Sequence, residues 1–510
     1  MPIEIISRSL HFPDRIAAID TSGKYTYSEI LNLANSTAKK LLADKEDLQE
    51  ERILFMVAPG HKYIAAQWGI WIAGGIAVPI ALSHPAEEIN HIIKDTSSAK
   101  IIFDPEYSDI LKNIDNINNI EFIKTNEINT SYQNNKSPEI DESRRAMIIY
   151  TSGTTNRPKG VVTTHLNIKS QITALVESWE WVDSDHILNV LPLHHVHGIV
   201  NAMLCALWSG AKCEFLSSFD SKTIWDKLSN NQISLFMAVP TMYEKLISFW
   251  NDLPRERQKL IKKQTSNLRL MVSGSDALLP NTLKQWKTIT GHVLLERYGM
   301  TEIGMALSNP LKGRRIPGFV GTPLPGVQTR ICSIDFDSNE NPVSLDIEVP
   351  HGSEGELQIK GENVFLEYWN NTEDTVSSFS KDGWFRTGDI ASTENGVFKI
   401  WGRASQDIIK TGGEKVSANE IQYVLRSHPK IKECAVVGIQ DEKWGEAVSV
   451  AIILSKGSTL DRLQLRKWAK NKLIHYKVPQ KILIVDDLPR NTMGKIIKPK
   501  IKEMFSKEIN

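Results

Sequence analysis

Ten consecutive residues, Thr151 to Gly160 (TSGTTNRPKG), place four hydroxyl side chains, two glycines, an arginine and a lysine in one short stretch. Such a mixture offers open backbone N–H groups, hydroxyl donors and fixed cations, which is what phosphate oxygens require. Thr151, Ser152, Gly153, Thr154, Thr155, Asn156, Arg157, Pro158 and Lys159 are therefore the candidate triphosphate cradle. It is not a Walker loop, because no Ser or Thr follows the lysine in the required frame. The competing reading is a plain Ser/Thr turn. A second cluster, His194, His195 and His197, suggests a metal centre until its company is read: carboxylate or cysteine partners at ligand spacing are missing. The four cysteines, Cys205, Cys213, Cys332 and Cys434, are far apart without a CxxC pair and read as reduced thiols of a cytoplasmic protein.

The elements that must hold these groups follow from hydrophobic patterning. The apolar run Ala146 to Tyr150 leads straight into the hydroxyl-rich loop and predicts a strand opening onto it. Similar runs at Arg52 to Val57, Ala99 to Phe103 and Leu268 to Val272 alternate with helix-like segments, the pattern of an α/β fold with largely parallel sheets. Tyr63 to Leu82 carries no charge over twenty residues, long enough for a bilayer. Gln67, the Gly74-Gly75 pair and Pro79 point instead to a buried helix followed by a core strand, Ile76 to Ile80. The stretches Asp104 to Arg145 and Asp335 to Glu354 are polar and read as solvated surface segments. After Gly402-Arg403 the texture becomes that of a compact unit, with strands at Ala435 to Ile439, Val448 to Leu454 and Lys481 to Val485 and an amphipathic helix near Leu463 to Leu473. The expected organisation is a large domain, residues 1–402, of stacked sheets with helices, and a small mobile α+β domain, residues 403–510. A chain of 510 residues requires such a division. Its 60 basic and 60 acidic residues balance, which removes the footprint of a dedicated nucleic-acid binder. The first fifteen residues have no apolar signal core and carry an early acid, so neither a secretory nor a transit peptide is expected.

Several further motifs occur in order: LPLHHVHG (Leu191 to Gly198), VSGSDALLP (Val272 to Pro280), LLERYGMTEIGMALSNP (Leu294 to Pro310), WFRTGD (Trp384 to Asp389), GRASQDIIKTGGEKVSANEI (Gly402 to Ile421) and PRNTMGKI (Pro489 to Ile496). With TSGTTNRPKG they make the chain resemble, over nearly its whole length, the adenylate-forming superfamily of acyl-CoA synthetases, nonribosomal adenylation domains and luciferases. Within it the likeness is greatest to malonyl-CoA and methylmalonyl-CoA synthetases. The resemblance implies an enzyme that uses ATP and Mg²⁺ to turn a carboxylic acid into an acyl-adenylate and then transfers the acyl group to coenzyme A. It implies that Tyr298, Gly274 and Ser275 border the adenine, that Gly299 and Met300 belong to the same nucleotide site, and that Thr301 contacts phosphate. It further implies Glu302 as the Mg²⁺ ligand and Asp389 and Arg403 on the ribose. Lys495 would bridge carboxylate and α-phosphate in the first half-reaction. After a rotation of the small domain, Lys410, Gly412 and Gly413 would face CoA. Ser405 stands at the pivot, where Lys or Asp is usual, and Asn156 replaces a usual Gly or Ser.

For the acid, Arg297 is the informative residue, since a second carboxylate in a desolvated pocket needs a fixed partner and arginine offers a bidentate fork. Pairing with Glu296 is the alternative, weakened because neighbours on a strand point to opposite faces. By family position His195 borders the acyl pocket, His197 can donate to a distal carboxylate, and His194 is structural. The expected substrate is malonate or methylmalonate. A monocarboxylic acid ligase, an enzyme loading a carrier protein, and a nucleotide-binding protein without turnover are the rival readings; the last is opposed by Lys495, Glu302 and Asp389 standing together.

Overall fold

The computed structural model describes residues 3–114, 119–128, 138–151, 158–337, 342–490 and 496–508. Among them the chain forms four sheets. Several helices start where short polar side chains satisfy the free N–H groups of the first turn. Thr26 accepts from Glu29 and Thr164 from Asn167, each within a reciprocal box.

A seven-stranded sheet has a parallel centre of Arg145–Thr151, Ile76–Pro79, Arg52–Met56, Lys100–Phe103 and Glu121–Lys124, with Lys159–Thr164 and Glu367–Tyr368 added antiparallel at one edge. A nine-stranded sheet runs parallel through Leu295–Met300, Leu270–Ser273, Leu235–Ala238, His186–Asn189, Lys212–Phe215 and Ile16–Asp20. Both sheets are buried on two faces. Ile53 and Phe55 enter the large central core while Leu54 and Met56 enter another; Leu235 and Met237 likewise face the central core, with Phe236 turned away. Two-sided burial is why these strands read as unbroken apolar runs.

The uncharged stretch resolves as expected. His61–Ile72 is a helix buried along nearly its whole length, and Ile76–Pro79 is a central strand. Its Trp71 indole donates to the Ala146 carbonyl at 2.7 Å and its Tyr63 hydroxyl to the Leu193 carbonyl at 2.5 Å, tying the helix to both candidate loops. Among the described residues no helix is long and apolar enough to cross a membrane.

Two segments expected as solvated loops contain edge strands. Glu121–Lys124 extends the seven-stranded sheet, burying Ile123 alone, and Pro342–Glu348 borders a five-stranded antiparallel sheet. Edge strands expose polar residues, so their composition resembles that of loops. That third sheet also departs from the parallel pattern.

The C-terminal unit pairs Ile431–Asp441 with Gly445–Leu454, adds Lys481–Ile484 in parallel and carries the hairpin Ile408–Thr411/Glu414–Ser417. Helices Ala418–Arg426 and Arg462–Lys470 cover one face and Lys498–Glu508 the other. It touches the large domain through Arg426, whose guanidinium lies 2.9 Å from Glu244, and through the Ser417 hydroxyl on the Trp401 carbonyl.

Candidate active site

Three groups of the predicted residues are brought together. The first is built on register: Asp389 and Arg403 are direct partners across the hairpin Phe385–Glu394/Val397–Arg403. Directly opposed residues lie within side-chain reach. Arg403 Nε is 3.0 Å from Asp389 Oδ1, and the Tyr298 hydroxyl donates to Asp389 Oδ2 at 2.5 Å. A second donor of Arg403, Nη1, reaches the Thr387 carbonyl at 2.6 Å. A ring, a carboxylate and a guanidinium thus form one polar wall beside a flat face.

The second group is centred on Glu302. Burial, together with Asp389, pushes its carboxyl above the usual range. Tyr368 donates its hydroxyl to Glu302 Oε1 at 2.9 Å, and Lys159 Nζ lies 5.3 Å over the Tyr368 ring and 2.6 Å from Asp374 Oδ2. Tyr368 and Asp374 escaped the sequence reading. They sit in a polar-aromatic stretch with no chemical spacing, and only the edge strand Glu367–Tyr368, paired to Val161 and Val162, carries them to the lysine. An oxygen-seeking dication would suit Glu302, because a buried carboxylate is stabilised by an adjacent cation.

The third group surrounds Arg297, only 3% exposed. Its Nη2 donates to Ser275 Oγ at 3.2 Å, and Ser275 Oγ lies 3.2 Å from His197 Nδ1. A Cβ on Gly274 would come within 2.4 Å of the guanidinium carbon, so glycine there makes the room. Ser275 takes a left-handed φ of 71°, uncommon for a side-chain-bearing residue, which turns its hydroxyl between the two bases. Glu296 is not the partner of Arg297. It faces the other way, accepting from the Leu278 N–H at 3.2 Å and from the Gly318 backbone, and burial raises its carboxyl to about 8. Burial likewise draws Arg297 down to about 9, still cationic at neutral pH, and among the described residues no carboxylate pairs with it. His197 is held well below its ordinary range by burial, with Arg297 adding to the effect.

His195 lies in the same segment as His197, which Asn189 braces by accepting from the Leu191 N–H at 3.0 Å and donating to the Gly198 carbonyl at 3.3 Å. Gly299, Met300 and Thr301 stand at the turn of the hairpin Leu295–Met300/Gly304–Ser308. Thr151 and Pro158 flank the phosphate loop, whereas Ser152, Gly153, Thr154, Thr155, Asn156, Arg157 and Lys495 lie outside the described residues. Lys410, Gly412 and Gly413 are in the C-terminal hairpin, where the Lys410 N–H donates to Glu446 Oε2 and the Gly412 N–H to the Trp444 carbonyl, both at 2.8 Å. Among the described residues no hydrogen bond links Gly412 or Gly413 to the Tyr298 wall.

Residues 7–369 match the model of the AMP-binding enzyme family, and residues 420–495 match that of the AMP-binding enzyme C-terminal domain. The chain belongs to the AMP-binding enzyme family. As a member of it, the chain is 42% identical to the mitochondrial malonate–CoA ligase ACSF3 of Homo sapiens, over 98% of this chain and 92% of that protein. It superposes on ATP-bound MatB from Rhodopseudomonas palustris with a TM-score of 0.89 at 30% identity, covering 100% of both chains. With a malonyl-CoA ligase product complex holding methylmalonyl-CoA and AMP, the TM-score is 0.67 at 30% identity, covering 94% of this chain and 97% of that one.

Proposed function

We propose that this chain is an ATP-dependent acid–CoA ligase acting on malonate or methylmalonate. Arg297 carries the substrate assignment: it is a buried cation joined to one hydroxyl and to no carboxylate among the described residues. A buried guanidinium without a counter-ion costs several kcal/mol. The distal carboxylate of a small diacid would supply that partner, with Ser275 and His197 beside it. The relatives that bear the name malonate–CoA ligase support the same reading.

In this account Tyr298 lies against adenine, with Gly274, Ser275, Gly299 and Met300 around it, and Asp389 and Arg403 take the ribose hydroxyls. Residues Thr151 to Lys159 hold the triphosphate. Lys495 neutralises the approach of the substrate carboxylate to the α-phosphorus, where charge accumulates as pyrophosphate leaves. Thr301 would contact phosphate and Glu302 would hold Mg²⁺, which when bound supplies positive charge beside the phosphates. The small domain begins near residue 403 and turns to bring Lys410, Gly412 and Gly413 toward the CoA thiol. Four free, buried cysteines support a reducing, cytoplasm-like compartment. AMP release across a panel of mono- and dicarboxylic acids with CoA tests the assignment. Malonate and methylmalonate should lead; a preference for monoacids would overturn it.

A further inference from the structure

A file of imidazoles leads away from Arg297. His197, which shares Ser275 with that arginine, stands two residues beyond His195 in the same segment. The rings of His195 and His194 are 4.1 Å apart between centroids, and those of His194 and His84 are 6.0 Å apart. His84 Nε2 lies 3.4 Å from Glu88 Oε2, and Glu88 is 47% exposed. The other ring nitrogen of His84, Nδ1, is buried without a partner among the described residues. Two unrelated segments build the file. His84 and Glu88 straddle the start of the helix Ala86–Thr96, while His194 and His195 sit on the loop anchored by Tyr63 at Leu193.

We propose that His195, His194, His84 and Glu88 form a proton path that carries the thiol proton from the reaction pocket to water during thioester formation. The inference rests on the acid–CoA ligase reading above. In that step the thiol sulfur forms a bond to the acyl carbon, the bond from that carbon to the adenylate oxygen breaks, and AMP leaves with the electron pair. One proton remains. An imidazole that accepts at one nitrogen and releases at the other suits its removal. The spacings are ones that ring rotation or a single water spans. Burial keeps His194 and His84 below their ordinary range, so both are neutral at pH 7 and pass a proton on rather than retain it. Glu88 and His194 face His84, and His84 and His195 face His194.

The test separates the half-reactions on whichever acid the wild type adenylates, so that losing the malonate assignment leaves the path still testable. In His84→Ala, pyrophosphate exchange should stay within about twofold of wild type. Single-turnover thioester formation from the isolated acyl-adenylate should fall about a hundredfold at pH 7, the scale of general base catalysis. The wild-type thiol step should be level between pH of about 6.5 and 9, whereas the variant's should climb toward the thiol range near about 8.5 and with added imidazole. Glu88→Gln, at an exposed position in the first turn of that helix, should slow the same step by a smaller factor. A thiol step within twofold of wild type in both variants would overturn the proposal. So would equal loss of both half-reactions with no response to pH or imidazole, since that is what a structural role predicts.

Discussion

At the scale of residues, the strand Leu295–Met300 sorts two neighbouring charges into opposite duties. Arg297 faces Ser275 and His197, and Glu296 faces the Leu278 and Gly318 amides. Replacing Arg297 by alanine would leave the distal carboxylate of malonate buried without its counter-ion. The expected loss in kcat/KM is about 3–5 kcal/mol, a few hundredfold to several thousandfold. Butyrate, with no second charge, should be unaffected or improved. Kinetics with both acids check this, and equal loss on both would make Arg297 structural. Glu296 yields a pH prediction. Its folded pKa, about 8, exceeds the unfolded carboxylate value, so the native state holds the extra proton between them. The stability it contributes is present below the unfolded pKa and is lost as pH rises through about 8. Glu296→Gln keeps the neutral shape, so its Tm should gain on the wild type as pH goes from about 6 to 9. A difference that does not vary with pH would mean that Glu296 is not protonated in the native state.

At the scale of elements, hairpins do most of the assembly. The register of Phe385–Glu394 against Val397–Arg403 joins Asp389 to Arg403, and the turn after Leu295–Met300 presents Thr301 and Glu302. The hairpin Ile408–Thr411/Glu414–Ser417 differs in kind: its Lys410 and Gly412 N–H groups are held from within the C-terminal unit, and Gly413 stands at φ 86° with open space about it. A side chain there meets no neighbour in this arrangement but is strained at that φ. Gly413→Leu should therefore spare pyrophosphate exchange and slow the thiol step by at least about tenfold, because it fills the approach proposed for CoA. Stopped-time measurement of AMP and thioester together distinguishes the two. If exchange falls as far as turnover, the hairpin does not serve the second step.

At the scale of the whole molecule, the proposed function has one small unit serve two half-reactions, and Lys495→Ala examines that division. Adenylation should drop about a hundredfold or more with loss of one positioned cation, while thioester formation from supplied acyl-adenylate persists. Equal loss of both would remove the division of labour. One contact that holds the small unit here, Arg426 on Glu244, is a partly exposed pair of the kind worth roughly 0–1 kcal/mol, and the Ser417 hydroxyl on the Trp401 carbonyl is another. The sequence by itself determined the α/β class and the buried helix His61–Ile72, because two-sided burial is a local signal, and its short motifs named Tyr298, Asp389 and Arg403, which the fold brings together. Strand alternation weakened a pairing of Arg297 with Glu296, and the structure decided against it by placing the two on different partners. The edge strands Glu121–Lys124 and Pro342–Glu348 were illegible, since their composition matches that of loops. Tertiary structure alone decided that Tyr368 links Lys159 to Glu302, that Ser275 sits between Arg297 and His197, and that His84 joins His194. Each of those contacts joins side chains from distant segments, and the packing of separate sheets and loops brings them within reach.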